Sequence, residues 1–406
     1  MMHQDLIFWI LGRLLLGFAG VMLLPLLLAM VQKEATVSAW VATVAITGAM
    51  GLTLFKAGNQ QPRLGVKESF AVVAGGWLAT SLCAALPYYW SGTLPAFIDA
   101  LFEAVSGLTT TGASVIDNLQ RVPKSILLWR SMTQWLGGMG IIVLFIVFLP
   151  NAGAGAAHLF RAEVTGPTKE KVMPRIRDTA LALWLIYVSL TVAAGILLLL
   201  AGMEPFDAVN HALATAATGG FSTSDAGIRQ YNNPAIELIL IVFMILAGGN
   251  FAVYYLAWTK GFRALLTSTE LRVYLLIIGA ATLAISANLI LVQDLPWSEA
   301  IRQSLFQAAS ITTTTGFANV DYEGWPPFAQ LILLILMFIG GCSGSTSGGI
   351  KVARVIVLIK QAWITLKRAL HPRAVISVVV DGKNVDMDVV SAVMQFFVIY
   401  MFTFAV

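Results

Sequence analysis

The sequence is dominated by apolar stretches long enough to cross a lipid bilayer. A helix needs roughly 20 apolar residues to span a hydrocarbon layer of about 30 Å. Eight stretches meet this criterion, and a ninth begins near Asp388. The predicted helices cover about residues 6–31, 36–56, 69–92, 125–149, 179–202, 235–259, 272–292 and 328–362, the last of them broken in the middle.

Charged residues make up 11% of the 406 residues, whereas soluble chains contain about 25%. This fraction is too small to cover a water-facing surface, which indicates an all-α polytopic membrane protein. It excludes a soluble enzyme, a secreted disulfide scaffold and a nucleic-acid binder. The two cysteines, Cys83 and Cys342, have no neighbouring cysteine or histidine cluster for a zinc site. A membrane-embedded enzyme would need paired acids or a Ser/His/Asp set at one depth, and the sequence contains no such set. We therefore expect neither catalysis nor a covalent cofactor.

Three further segments are too short or too polar to cross the membrane. They lie at about residues 96–111, 206–218 and 298–314, and each leads into a Thr/Gly tract. Irregular backbone at membrane depth is tolerated only where it is buried in protein or lines a water-filled cavity. These segments are therefore predicted to be re-entrant half-helices, each followed by a loop.

The basic residues favour one orientation in the membrane. The four connections that lack a half-helix hold 18 of the 25 basic residues. Because short cytoplasmic loops carry an excess of Lys and Arg, we expect the half-helices to enter from the outside. That side is also rich in Asp and Glu, which would raise the local cation concentration.

The half-helices and their loops form an internal repeat. Residues 101–112, LFEAVSGLTTTG, match residues 305–316, LFQAASITTTTG, and residues 209–220 form a weaker copy in the same register. An aspartate follows the last glycine of each copy by the same interval, at Asp117, Asp225 and Asp321. One module of outer helix, half-helix, loop and inner helix is therefore used three times.

A threonine run that ends in glycine has the chemistry of a cation filter. Glycine adopts positive φ without steric cost, threonine hydroxyls add oxygen ligands, and carbonyl rings replace the hydration shell of potassium in selectivity filters. The negative end of each half-helix dipole would also point toward the cation. The alternative without a pore is that these tracts only form loops between helices and that their small residues help the helices to pack. Three copies in register favour a pore.

These residues resemble the Trk/Ktr/HKT superfamily of potassium channels and transporters, and most closely the bacterial Trk-type uptake subunits. The resemblance rests on TTTGAS at 109–114, ATGGFST at 217–223, TTTTGF at 312–317 and GGCSGSTSGGIK at 340–351, and it extends over essentially the whole chain. It implies a multi-pass protein of the bacterial cell inner membrane with pore modules around a central pore.

The resemblance also implies a domain organisation. The expected parts are an N-terminal helix pair at 1–60, pore repeats at 61–150, 151–260 and 261–370, and the start of a fourth repeat at 371–406. The family has four repeats, whereas this sequence stops within the first helix of the fourth. We therefore expect it to be a fragment of a longer gene product.

The family's filter positions can be carried over residue by residue. They fall on Thr110, Thr111, Gly112, Thr218, Gly219, Gly220, Thr314, Thr315 and Gly316. In HKT-type members a serine at the first filter position goes with sodium transport, whereas glycine goes with potassium. Gly112 therefore implies potassium as the transported ion and the only metal of the site.

A glycine- and serine-rich tract interrupts the last complete inner helix. It comprises Gly340, Gly341, Cys342, Ser343, Gly344, Ser345, Thr346, Ser347, Gly348 and Gly349, with Lys351 following. Single packing glycines would not break a helix this thoroughly, because each costs only about 1 kcal/mol relative to alanine. The family places an obstructing loop below the filter here, so the resemblance implies a gate. A glycine-rich stretch has little packing energy of its own, so we expect the tract to rearrange at low cost. The alternative is a flexible kink without gating.

Several polar residues have simpler interpretations. His211 is expected to be a hydrogen-bonded packing residue, and Arg130 and Glu237 are expected to be interfacial anchors. The basic run at 161–177 is either a solvated loop near anionic lipid or a docking surface. By resemblance, a cytosolic nucleotide-binding regulatory subunit would dock there, and the protein would form a homodimer in the bilayer.

The sequence therefore predicts potassium uptake down the electrochemical gradient through a carbonyl-lined filter, gated by the 340–349 loop. The alternative from another class is a secondary transporter with broken helices that couples potassium to another ion. Many such transporters use inverted repeats, whereas the repeats here are parallel. Unitary currents would distinguish the two.

Overall fold

The computed structural model describes residues 3–59, 65–140, 176–371 and 376–405. The end of the predicted fourth helix, at 141–149, and nearly all of the basic run at 161–177 lie outside the described residues. The chain divides into two compact units. Among the described residues, the first unit comprises 3–140 with its gap, 176–243 and 315–318, and the second comprises 244–314 and 319–405 with its gap.

The first unit is built from long helices with two short ones between them. The helices are α1 (Gln4–Val31), α2 (Val37–Ala57), α3 (Val66–Trp90), α4 (Phe97–Leu108), α5 (Lys124–Gly138), α6 (Ile176–Leu200) and α7 (Pro205–Ala216), and α8 (Pro234–Ala247) begins in this unit. Short 3-10 helices cover Leu119–Arg121 and Gly227–Tyr231.

The N-terminal helix pair packs through small residues. A side chain added to Gly12 of α1 would clash with the backbone of Phe55 in α2, and one added to Gly51 of α2 would lie 2.9 Å from the backbone nitrogen of Leu16. Small residues allow membrane helices to approach this closely. The pair is joined to α5 by Trp40, whose ring meets that of Trp129 at 5.6 Å.

The second unit contains the remaining helices and a short hairpin. Its elements are α9 (Phe251–Lys260), α10 (Arg263–Thr267), α11 (Thr269–Gln293), α12 (Trp297–Thr312), a 3-10 turn at Tyr322–Gly324, α13 (Pro327–Phe338), α14 (Val352–Leu370), β1 (Val379–Val380), β2 (Lys383–Asn384) and α15 (Met387–Ala405). Strands β1 and β2 pair antiparallel. Helices α11, α12 and α13 share a core that includes Ile285, Leu289 and Leu333.

The helices confirm a polytopic membrane protein. Among the described residues, six helices are long and apolar enough to cross a bilayer, or seven if α8 and α9 count as one span. The short helices α4, α7 and α12 occupy the three predicted half-helices. The final predicted helix is present as α15, whose Val398, Phe402 and Phe404 are exposed, as lipid-facing side chains would be.

Two predicted spans differ from the structure. The helix expected at 235–259 is wrong as a continuous span, because α8 ends at Ala247 and α9 begins at Phe251 with a bend of 89°. Asn250 caps α9 by accepting hydrogen bonds from the backbone N–H groups of Ala252 and Val253. In the span expected at 125–149, α5 ends at Gly138, and Gly140 has a φ of +77°.

Candidate functional site

Each half-helix ends in a turn that leads directly into its Thr/Gly loop. At the end of α4, the N–H of Thr110 bonds to the carbonyl of Gly107 at 3.0 Å, and that of Thr111 bonds to Ser106 at 2.9 Å. This is a Schellman-type helix end, in which the left-handed position is usually glycine. Here a threonine occupies that position.

The second half-helix repeats this pattern of bonds. At the end of α7, the N–H of Thr218 bonds to the carbonyl of Thr215 at 3.0 Å, and that of Gly219 bonds to Ala214 at 2.9 Å. At the end of α12, the N–H of Thr314 bonds to the carbonyl of Ile311 at 2.9 Å. The corresponding residues of the repeat therefore make corresponding bonds.

The three threonines share a rare backbone conformation. Thr110, Thr218 and Thr314 have φ values of +54°, +51° and +56°. A β-branched residue in the left-handed region is a genuine outlier that costs about 1–3 kcal/mol. Strain of this kind persists where the surrounding structure enforces it, and it clusters at functional sites.

The three glycines of the loops also have positive φ. Gly112, Gly220 and Gly316 have φ values of +78°, +78° and +82°, two residues after the strained threonines. In every loop a residue of positive φ is followed by one of negative φ and then by glycine. This alternation rotates successive peptide planes, which allows backbone oxygens to face one side of the loop, as cation coordination requires.

Neighbouring loops approach each other through these glycines within the first unit. A side chain added to Gly112 would clash with the carbonyl oxygen of Gly219, and one added to Gly220 would clash with that of Thr315. Glycine is required here both for its φ and for the close approach. The structure thus brings together the predicted filter residues at 112, 219–220 and 315.

Gln134 holds the second loop in place, although sequence reasoning missed it. This α5 residue is fully buried, and its Nε2 donates a 2.5 Å hydrogen bond to the carbonyl of Gly219. Its Oε1 accepts a hydrogen bond from the N–H of Phe221 at 3.1 Å. One side chain therefore fixes the peptides on both sides of Gly220.

A buried ion pair connects the first half-helix to α5. Nε of Arg130 lies 2.7 Å from Oε1 of Glu103, and both side chains are at most 2% exposed. Oε2 of Glu103 accepts a bond from the N–H of Val115 at 3.1 Å. The expectation that Arg130 is an interfacial anchor is therefore wrong. A basic residue in an apolar helix, with an acid in the neighbouring half-helix, was the signal for a pair.

Arg130 also reaches both of the first two loops. Its guanidinium donates to the hydroxyl of Ser114 and to the carbonyl of Ser222, each at 3.1 Å, and it lies 4.1 Å from the ring centroid of Phe221. Glu103 neutralises the charge of Arg130, so the guanidinium does not present an unpaired positive charge to a cation. Its hydrogen bonds connect the first loop to the second.

His211 is a buried packing residue, as expected. Its Nδ1 lies 2.8 Å from the carbonyl oxygen of Asp207, and its Nε2 lies 3.2 Å from the hydroxyl of Ser222. The Asp207 carboxylate accepts hydrogen bonds from Thr223 and from the hydroxyl of Tyr231. Burial is the main cause that raises the pKa of Tyr231, and the hydrogen bond to Asp207 raises it further, so the phenol remains a neutral donor.

The glycine-rich tract joins α13 to α14 in the second unit. The N–H of Gly340 bonds to the carbonyl of Ile350 at 2.9 Å, and the N–H of Ile350 bonds to Phe338 at 3.2 Å, so the two ends of the tract pair with each other. A side chain added to Gly340 would clash with the carbonyl of Gly348. The tract is therefore closely packed, contrary to the expectation that it has little packing energy of its own, and any rearrangement would break these contacts.

The tract is bonded to the break between α8 and α9. The N–H of Cys342 donates to the carbonyl of Gly248 at 2.8 Å, and the hydroxyl of Thr346 donates to the carbonyl of Ala247 at 3.2 Å. The sequence signal for this break was the Gly-Gly-Asn run at 248–250. The two broken inner helices thus contact each other at their breaks.

The tract is also bonded to the base of the third loop. The hydroxyl of Ser347 donates to the carbonyl of Thr313, and the N–H of Gly348 donates to the hydroxyl of Thr314, both at 2.7 Å. The buried Lys351 donates from its Nζ to the carbonyl of Ser347. The tract therefore contacts one predicted filter residue directly.

The candidate ligands of this site are carbonyl and hydroxyl oxygens. No group of three or more His, Cys, Asp or Glu residues that could hold a metal ion occurs in the parts of the chain that the structure describes. Neutral oxygens suit a hard, weakly bound cation in transit.

Comparisons with known proteins identify relatives of this chain. A family model described as TrkH, cation transport protein, matches residues 33–406. The Trk system potassium uptake protein TrkH of Escherichia coli K12 is 40% identical over 100% of this chain and 85% of its own length. That of Halomonas elongata is 37% identical over 99% of this chain and 84% of its own length.

A solved structure also matches over the whole chain. The crystal structure of the potassium transporter TrkH from Vibrio parahaemolyticus superposes with a TM-score of 0.89 at 36% sequence identity. The superposition covers 100% of this chain and 84% of that one.

Proposed function

The chain belongs to the TrkH family of cation transport proteins, and on this premise we propose that it takes up potassium across the bacterial inner membrane through a carbonyl-lined pore. The observation that carries the proposal is the repeated loop conformation. Three strained threonines and three glycines of positive φ stand at corresponding positions of three half-helices.

The filter residues in this proposal are those of the three loops. They are Thr110, Thr111 and Gly112, then Thr218, Gly219 and Gly220, then Thr314, Thr315 and Gly316. Support comes from the contacts of Gly112 and Gly220 with the carbonyls of the adjacent loops, because a ring of oxygens requires loops in contact. The domain boundaries predicted from the repeat belong to the same proposal.

The test is the ratio of potassium to sodium uptake in cells that lack their own potassium import. A Gly112→Ser variant places a side chain against the Gly219 carbonyl, so potassium selectivity should fall. Gly92→Ser is the matched control, since Gly92 has a φ of +73° and no atom within 4 Å of an added Cβ. An unchanged ratio for Gly112→Ser at normal expression would contradict the filter assignment.

The tract at 340–349, with Lys351, is proposed as the gate. Support comes from its bonds to Thr313 and Thr314, which connect it to a filter loop. A Ser347→Ala variant removes the bond to Thr313 and should raise basal potassium uptake. Ser286→Ala, another buried serine that bonds only backbone carbonyls, should leave uptake unchanged. Equal uptake by both variants would count against a gate.

A coupled carrier remains the second candidate. The observation that favours it is the presence of two broken helices, since secondary transporters bind ions at such breaks. Single-channel recording separates the two: a pore gives unitary currents, whereas a carrier gives slow, saturable exchange.

Two assembly features complete the proposal, both implied by the family resemblance. The protein would form a homodimer, and a cytosolic nucleotide-binding subunit would regulate it. Light scattering of the purified protein would give the mass of the assembly, and a change in uptake with added nucleotide would report the regulator.

A further inference from the structure

A buried carboxylate lies where the tract meets the break between α8 and α9. Glu270 is the second residue of α11, and it is only 8% exposed. Its oxygens accept hydrogen bonds from uncharged N–H groups, whereas the buried Glu103 lies 2.7 Å from the guanidinium of Arg130. A buried carboxylate is costly unless hydrogen bonds satisfy it, and its partners therefore indicate its role.

Three N–H groups from three different segments satisfy this carboxylate. Oε1 accepts a bond from the N–H of Ser343 at 2.5 Å and another from the N–H of Ala353 at 3.2 Å. Oε2 accepts a bond from Nδ2 of Asn250 at 3.4 Å. Ser343 belongs to the tract, Ala353 to the first turn of α14, and Asn250 to the α8–α9 break.

Asn250 connects the carboxylate to the start of α9. Its Oδ1 accepts the N–H groups of Ala252 and Val253 and so caps that helix, while its Nδ2 points to Glu270. The next residue, Phe251, donates its N–H to the carbonyl of Gly344 in the tract at 3.3 Å. The cap of α9 and the tract thus share one hydrogen-bonded cluster.

We propose that Glu270 is a positioning residue that latches the tract to the α8–α9 break and holds the gate closed. This inference rests on the proposed gate and adds the residue that restrains it. The tract and the α8–α9 break are then coupled, because the tract cannot move away from Gly248 and Asn250 without losing the hydrogen bonds to Glu270.

A carboxylate suits this role for two reasons. Charge-assisted hydrogen bonds are stronger and shorter than neutral ones, and a negative charge is favoured beside the N-terminus of a helix, here α14. A neutral amide would present one acceptor instead of two, so at least one of the three N–H groups would lose its partner.

Two substitutions test the latch with little change in shape. Glu270→Gln removes the charge. Asn250→Asp keeps a good cap for α9 but replaces the donor to Glu270 with a second carboxylate. Loss of one charge-assisted bond should raise basal potassium uptake per molecule about tenfold or more, while the potassium-to-sodium ratio stays at the parent value.

Matched controls use the same chemical changes elsewhere. Glu299→Gln alters a carboxylate that accepts a bond from Gln303, and Asn233→Asp alters an asparagine that accepts the N–H of Ala235 and donates to the carbonyl of Ala201. Both should leave uptake unchanged. A purely structural Glu270 would instead lower the melting temperature and the amount of protein without raising uptake per molecule.

The Ser347→Ala variant separates this inference from the proposed gate. If Ser347→Ala raises uptake while Glu270→Gln and Asn250→Asp leave it unchanged, the latch is wrong and the gate stands. If none of the three raises uptake, the gate proposal fails and the latch fails with it. Increases in all three, with no further increase on combining Glu270→Gln and Asn250→Asp, support the latch.

Discussion

Nε2 of Gln134 donates a hydrogen bond to the carbonyl oxygen of Gly219 at 2.5 Å, although the two residues are 85 positions apart in the chain. The same amide accepts the N–H of Phe221. The orientation of the second loop therefore depends on a side chain of α5, outside the repeat motif itself.

The first prediction concerns this amide. Gln134→Leu removes both bonds and leaves a buried carbonyl and N–H unsatisfied, which costs about 1–3 kcal/mol each. We expect a lower melting temperature and a reduced preference for potassium over sodium. Gln307→Leu, at another buried glutamine that donates to Asn319, should lower stability without changing the ion preference. Parallel changes in both variants would argue against a specific role for Gln134.

The second prediction concerns the Arg130–Glu103 pair. Glu103→Gln leaves a buried guanidinium without its counter-charge, and breaking a buried pair from one side costs about 3–5 kcal/mol. The double variant Glu103→Gln, Arg130→Met removes both charges and should be less destabilised than the sum of the single variants. Thermal unfolding of the parent and the three variants in detergent gives the coupling energy. Strict additivity would mean that the two charges do not interact.

Local patterns predicted the half-helices, their loops and the break at 340–349. Those features depend on residues close in sequence, such as the threonine runs and the clustered glycines. The break at 248–250 was missed because two glycines in an apolar run cost only about 1 kcal/mol each against alanine. At the break, the carbonyl of Gly248 accepts the N–H of Cys342, which lies nearly a hundred residues later and could not be paired with it from local sequence.

The side chains that position the loops were missed for the same reason. Gln134 and Arg130 lie in an apolar helix, where each by itself is equally consistent with an interfacial position. Their partners, Gly219 and Ser222, are 85 and 92 residues away. Only the fold brings these groups together, so no spacing in the sequence indicates them.

The third prediction concerns the N-terminal helix pair. Gly12→Leu would force α1 away from the backbone of Phe55, and overpacking of this kind costs about 1–3 kcal/mol. Gly17→Leu on the same helix is the control, because an added Cβ there meets no atom within 4 Å. Thermal unfolding should show a lower midpoint for Gly12→Leu alone. Equal midpoints would show that the α1–α2 contact is not tight.

The last prediction isolates the contact between the tract and the third loop. The hydroxyl of Thr314 accepts the N–H of Gly348 at 2.7 Å. Thr314→Val keeps the β-branched shape, and with it the strain of a positive φ, but removes the acceptor. Thr314→Ser keeps the acceptor and removes the branch.

A single neutral hydrogen bond contributes about 0.5–1.5 kcal/mol, which corresponds to roughly a two- to tenfold shift in an equilibrium. Basal potassium uptake should therefore rise by that factor in Thr314→Val and stay near the parent value in Thr314→Ser. Uptake per molecule in the same transport-deficient cells measures both. If uptake by Thr314→Val equals uptake by Thr314→Ser, the hydroxyl of residue 314 does not restrain the tract. The role of Thr314 would then lie in its backbone conformation alone.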